Sequence, residues 1–228
     1  MGLSLNRSFV PKPIRVGLHP ITRRIRRPSL VSTIRTISDA SDERVPTDAE
    51  LRRMCLKWSN SDSVADLPVL VEVAAQCQAA DGPVLECGSG VTTFVAAAYA
   101  RHGCWSLENH DTYRRRVVDV LERAGLPNQV SYAPLIQHGD FDWYEVPEGL
   151  PERFALVICD GPRAATRGGR AGLLPVMHRH LAGATVILDD SQREGEQAAM
   201  RMWADQFRVS VVGNVGSATI LQVPSQVR

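Results

Sequence analysis

Apolar and polar positions along the chain follow two periods. From Pro46 to Ala80 the spacing is helical: Leu51, Met54, Cys55 and Trp58 share one face behind a T-D-A-E capping-box pattern at Thr47 to Glu50. A second helix is predicted after Asp66, with Leu67, Leu70, Val71, Ala74, Ala75 and Cys77 on its apolar side. Beyond these, apolar runs of strand length alternate with stretches of helix length. Val84-Leu85, Cys104 to Glu108, Gln129 to Leu135, Phe154 to Asp160 and Ala184 to Leu188 read as strands. Asp111 to Ala124, stopped by Gly125 and Pro127, Leu173 to Leu181 and Glu194 to Phe207 read as helices. Gly139 to Arg153 is expected to be a loop whose Phe141, Trp143 and Tyr144 either wall a pocket or pin the loop to the body. Arg208 to Val212 and Ala218 to Val223 are expected to pair across a turn at Gly213 to Gly216. Continuous apolar strands alternating with helices predict an α/β fold with a mostly parallel sheet covered on both faces.

Composition adds limits to that picture. The 228 residues fit one ordinary domain plus an extension, with 44% apolar residues and a net charge of +1. No apolar run approaches the ~20 residues of a membrane span. Five cysteines, an odd number without a C-x-x-C pair, read as buried free thiols of a reducing compartment, which makes a cytoplasmic location the expectation. Charge is unevenly spread. Eight basic residues precede Asp39 with no acid among them, leaving 18 basic against 25 acidic side chains, a net of −7, in the remainder. With prolines at 11, 13, 20 and 28, residues 1–45 are expected to form an extended or disordered basic arm, and residues 46–228 the domain with its N-terminal packing helices. The arm could meet an anionic surface, nucleic acid or a second subunit, or could be a solvated tail.

The chemistry centres on Gly82 to Ala98, which reads as strand, tight turn and small-residue helix. Gly88 and Gly90 let the backbone turn sharply against a ligand, and Thr92 or Thr93 can cap the helix. A dinucleotide fingerprint would want a third glycine where Thr93 stands. A P-loop is excluded, because the only two lysines are Lys12 and Lys57. Glu108, about 20 residues beyond the turn at the end of the second strand, is placed to hold a ribose diol, with Asn109 beside it. Asp160, at the end of the fourth strand, and Asp189-Asp190, at the end of the fifth, point three more acids at the same edge. His138, His178 and His180 are further possible bases, the last two on a helix.

The run E-C-G-S-G-V-T-T at Glu86 to Thr93, the strand-end Glu108, V-I-C-D-G-P and I-L-D-D-S-Q-R, in that order, resemble class I S-adenosylmethionine-dependent methyltransferases over about Leu67 to Val223. The resemblance implies a three-layer Rossmann-like fold with a seven-stranded, mostly parallel sheet and an antiparallel last strand. It implies S-adenosyl-L-methionine as cofactor, held by Glu86, Gly88, Ser89, Gly90, Thr92, Glu108, Asn109, Ala133 and Asp160, with Ala133 on the adenine wall. Asp160 and Asp190 are the expected catalytic base or orienter. Similarity to the catechol-type O-methyltransferases adds Asp160, Asp189 and Asp190 as candidate Mg²⁺ ligands, although this chain has Asp where those enzymes often have Asn. The alternative is that Asp189 caps a loop and Arg193 neutralises Asp190. The expected activity is O-methylation of a small hydroxylated acceptor, with a homodimer allowed and nucleic acid not expected as partner. Two other readings stay open: a nucleic-acid-binding or modifying protein using the arm, and a non-catalytic scaffold.

Overall fold

The computed structural model describes residues 30–59, 66–127 and 129–225. Helices α1 (30–39), α2 (Asp48–Trp58) and α3 (Leu67–Ala79) precede β1 (Val84–Cys87), α4 (Val91–Tyr99), β2 (Cys104–Glu108), α5 (Asp111–Ala124) and β3 (Gln129–Tyr132). Next come β4 (Leu135–His138), β5 (Phe141–Tyr144), β6 (Leu156–Cys159), the short α6 (Leu173–Met177), β7 (Thr185–Leu188), α7 (Glu194–Phe207), β8 (Ser210–Val215) and β9 (Ala218–Gln222). Seven strands form the main sheet in the order β3-β2-β1-β6-β7-β9-β8. β9 lies antiparallel to both of its neighbours and the remaining pairings are parallel, the architecture that the sequence pattern implies.

Alternation along the central strands explains the layers. Val84, Leu156, Ile158 and Ile187 face one core, built with α1 to α5, while Leu85, Val157, Cys159, Val186 and Leu188 face the other, built with α6, α7 and the β4–β5 hairpin. Both faces are covered, so the strands read as unbroken apolar runs. All five cysteines are buried free thiols. No helix among the described residues is long and apolar enough to cross a membrane.

Three expectations need correction. The supposed arm is helical over 30–39, and Leu30, Val31, Ile34 and Ile37 are buried in the first core. Those four recur at helical spacing behind the basic, proline-rich stretch that masked them. Arg35, counted with the arm, donates from Nη2 to the Arg123 carbonyl at 2.6 Å and from Nε to that of Ala124 at 3.3 Å, capping α5. The other seven basic residues before Asp39 lie outside the described residues.

The stretch expected as a loop opens with a hairpin. Pro134 has no N–H to continue the third strand, so pairing breaks there and resumes as β4 against β5 across a two-residue Gly139-Asp140 turn, with Gly139 at φ 58°. At the C-terminal end the turn sits at Gly216-Ser217, because β8 continues to Val215 after a register shift between Val211 and Gly213. A side chain at Gly216 would collide with the Asp66 carboxylate, which accepts from the Ser217 N–H at 2.6 Å and ties this turn to the start of α3.

Ile34→Ala should lower the unfolding free energy by about 2–4 kcal/mol, the cost of a cavity in a packed core. Urea denaturation followed by circular dichroism checks this, since an extended arm would give no change.

Candidate active site at the carboxyl edge of the sheet

The strand order reverses between β1 and β6, and a cleft opens above that point, where doubly wound sheets bind ligands. Its floor is bare backbone. Cys87 accepts from the N–H groups of Asp160 at 3.0 Å and Gly161 at 2.6 Å, pulling the two strand ends together. Gly88 sits at φ 87°, and a Cβ on it would lie 2.9 Å from the Gly161 nitrogen, while one on Gly161 would lie 2.8 Å from the Gly88 Cα. Each glycine makes room for the other. The resulting cavity of about 540 Å³ is of small-ligand size, and one of about 320 Å³ adjoins it, sharing Ser89, Tyr113 and Asp160.

Of the cofactor residues expected from sequence, Gly88, Ser89, Glu108, Asn109 and Asp160 line the larger cavity, and Gly90 and Thr92 the smaller. Glu108 accepts from the Ser89 N–H at 3.1 Å and hydroxyl at 2.7 Å through Oε2, and from the His110 N–H at 2.8 Å through Oε1. Three of about four lone-pair sites are therefore engaged, and Oε1 keeps room for another donor. α2 and α3 roof the smaller cavity through Cys55, Trp58, Val69 and Leu70, as expected of the preceding helices. Tyr113, on the first turn of α5, accepts from the Trp58 indole N–H at 3.1 Å and so joins that roof to the cleft.

Two of the expected residues lie elsewhere. Glu86 is completely buried and accepts from the hydroxyls of Thr92 (2.5 Å), Thr93 (2.7 Å) and Ser106 (2.5 Å), welding β1, β2 and α4 together. It faces the α4 side of the sheet because strand side chains alternate. Thr93 also accepts from the Gly90 N–H at 2.7 Å and so caps the helix, while Thr92 spends its hydroxyl on Glu86. Ala133 is 1% exposed and lines neither cavity; its N–H donates to the Glu108 carbonyl at 2.9 Å. None of the three candidate histidines lines either cavity: His138 stacks on Phe141, His178 lies by Phe207, and His180 Nδ1 meets the Pro151 carbonyl.

Asp160, Asp189 and Asp190 come together, with an oxygen of each within 4.8 Å of the others. Sequence reasoning missed what lies among them. The buried Arg170 guanidinium donates through Nη2 to the Asp160 carbonyl at 2.6 Å, the Asp160 carboxylate at 3.0 Å and the Asp190 carboxylate at 3.2 Å, and through Nη1 to the Asp189 carbonyl. Arg193 pairs with Asp190 at 2.7 Å, and Asp189 accepts from the Ser217 hydroxyl and the Asp190 N–H, both at 2.7 Å. A divalent cation would need these same oxygens free. Two guanidinium groups already pair with Asp160 and Asp190, and the Asp189 carboxylate is engaged by the Ser217 hydroxyl and the Asp190 N–H, so this donor set does not fit a Mg²⁺ ion. Burial, opposed by Arg170 and reinforced by Asp189 and Asp190, pushes the Asp160 carboxyl up to about 7. Arg170 carries no periodic signal: it closes a loop of arginines and glycines (Arg163, Arg167, Gly168, Gly169, Arg170) whose sequence reads as holding an anionic substrate group or as mobile.

Comparison of the sequence with protein-family models and with curated proteins finds no match. Solved structures share the fold. A methyltransferase-like protein from Silicibacter pomeroyi is 17% identical, over 73% of this chain and 90% of that one, at a TM-score of 0.53. The O-methyltransferase from Bacillus cereus in complex with SAH is 16% identical, over 83% and 96%, at 0.50. A tRNA methyltransferase from Aquifex aeolicus is 16% identical, over 78% and 76%, at 0.51. The fold of this chain is that of the class I methyltransferases.

Two measurements test the buried charges. Burial raises the Glu86 pKa from 4.5 to about 7, against the pull of its three hydroxyls. The folded protein then holds a proton that the unfolded chain releases, so stability is full below about pH 4.5 and is lost as pH rises toward 7. Glu86→Gln should remove roughly 2 kcal/mol of the decline in unfolding free energy between about pH 5.5 and 8. Mn²⁺ titration followed by electron paramagnetic resonance should find no bound ion on the wild type at millimolar metal. Arg170→Met, which frees the Asp160 carboxylate and leaves Asp190 with Arg193 alone, should gain binding.

Proposed function

We propose that the protein is an S-adenosylmethionine-dependent methyltransferase that methylates a hydroxyl of a small acceptor. The observation that carries this reading is Glu108: a strand-end carboxylate beside a floor made of Gly88 and Gly161 backbone, in a fold shared with proteins such as the SAH-bound O-methyltransferase. When bound, the sulfonium supplies an already activated methyl group, and the protein's task is to align an oxygen and accept its proton.

Glu108 grips a ribose hydroxyl through Oε1. Ser89, whose hydroxyl now bonds Oε2, can turn that hydroxyl away and release the second carboxylate oxygen for the neighbouring hydroxyl of the diol. The glycine floor lets the nucleoside lie close to the backbone, and Asn109 and Tyr113 border it. Asp160 faces both cavities, and with its carboxyl pushed up to about 7 it is poised to take a proton from an acceptor hydroxyl near neutral pH. Arg170 holds that carboxylate in place from behind, and Asp190, shared between Arg170 and Arg193, orients the arginines. No step of this scheme passes through a metal ion. The buried free thiols and the lack of a membrane-crossing helix among the described residues accord with a cytoplasmic location.

Calorimetry with SAH should show binding to the wild type, and Glu108→Ala should weaken it at least about tenfold, as expected for a hydrogen bond to a charged group. Absence of any affinity for SAH or S-adenosylmethionine overturns the reading. A panel of hydroxylated acceptors incubated with S-adenosylmethionine, with and without chelator, identifies the substrate.

A further inference from the structure

Tyr144 closes β5 with its side chain 0% exposed, yet its hydroxyl has no hydrogen-bond partner among the described residues. Buried polar groups are rarely left in this state, because the lost hydration is not repaid. The hydroxyl abuts Gly161, where a Cβ on that residue would stand 2.3 Å from it. Tyr144 also lines the larger cavity together with Glu108 and Asn109, and does not line the smaller one. Burial raises its phenol pKa well above the ordinary value, so the group is a neutral O–H with a proton to donate.

We propose that Tyr144 is a cofactor-binding residue whose hydroxyl donates a hydrogen bond to the nucleoside half of S-adenosylmethionine as it lies over Gly88 and Gly161. This rests on the methyltransferase reading above. The sugar oxygens and ring nitrogens of the nucleoside are acceptors, as is the methionine carboxylate, and the choice between them is made by place. The place selects the nucleoside, because the cavity that Tyr144 shares with Glu108 is the one assigned to the ribose. The β4–β5 hairpin is the device that brings the tyrosine there. Its register sets Tyr144 opposite Leu135, and the neighbouring Trp143 is equally buried, which anchors the strand.

Tyr144→Phe removes the oxygen and nothing else. SAH affinity measured by calorimetry should fall about tenfold, the value of one hydrogen bond to a buried acceptor. The ligand-free variant should melt at the same temperature as the wild type or higher, since an unpaired polar atom has been taken out of the interior. Equal SAH affinity in the two proteins, or a lower melting temperature in the ligand-free variant, overturns the assignment by showing that the hydroxyl serves structure. Failure of the wild type itself to bind SAH overturns the underlying methyltransferase reading and this assignment with it, a result distinct from equal binding by both proteins.

Discussion

Contact between the backbones of Gly88 and Gly161 is the constraint on which the site depends. Both residues follow central strands of a parallel sheet, and the Cys87 carbonyl binds the two N–H groups that open the second turn. With no side chain on either residue, the strand ends close to a distance that any Cβ would prevent. The cleft therefore has a floor without side chains, and the residues that matter stand around it at fixed heights. Glu108 reaches back to Ser89 from one side, Asp160 rises from the other, and α4 starts just beyond.

Three acids at this edge differ in role because their surroundings differ. Glu86 points into the core, where three hydroxyls meet it and burial disfavours its charge, so it serves as a structural clamp. Glu108 lies at the cleft wall with N–H donors around it and keeps acceptor capacity toward the ligand. Asp160 shares a buried guanidinium with Asp190, and burying Arg170 is tolerable because carbonyls and carboxylates surround it. Arg170 and Glu196 also face each other at 3.8 Å, which extends the same network to α7.

The helices before β1 do more than cover the sheet. α1 anchors against the C-terminus of α5 through Arg35, and α2 brings Trp58 edge-on to both Phe94 and Tyr113, with Arg116 stacked 3.8 Å over its ring. The roof of the smaller cavity is thus fixed from two sides. On the opposite face the β4–β5 hairpin fills a comparable role, with Trp143 and Tyr144 wedged against the glycine-rich segment before α6.

The layers, the order of strands and helices, and the strand-end positions of Glu108, Asp160 and Asp190 were legible in the sequence, because burial on both faces and the two backbone periods are local properties of the chain. Gly88 and Gly90 announced a turn for the same reason. Tertiary structure decided what each acid meets: Glu86 stands one residue before the end of β1 and lies among hydroxyls of α4 and β2, while Glu108 ends β2 at the cleft. The same holds for Arg170, which counts as a loop arginine until β6 and β7 bring Asp160 and Asp190 to within reach. It holds too for Tyr144, placed against Gly161 by a hairpin that Pro134 starts, and for α1, whose apolar face has meaning only against the helices that bury it. Partners separated by tens of residues leave no period in the sequence, and their pairing is set by packing.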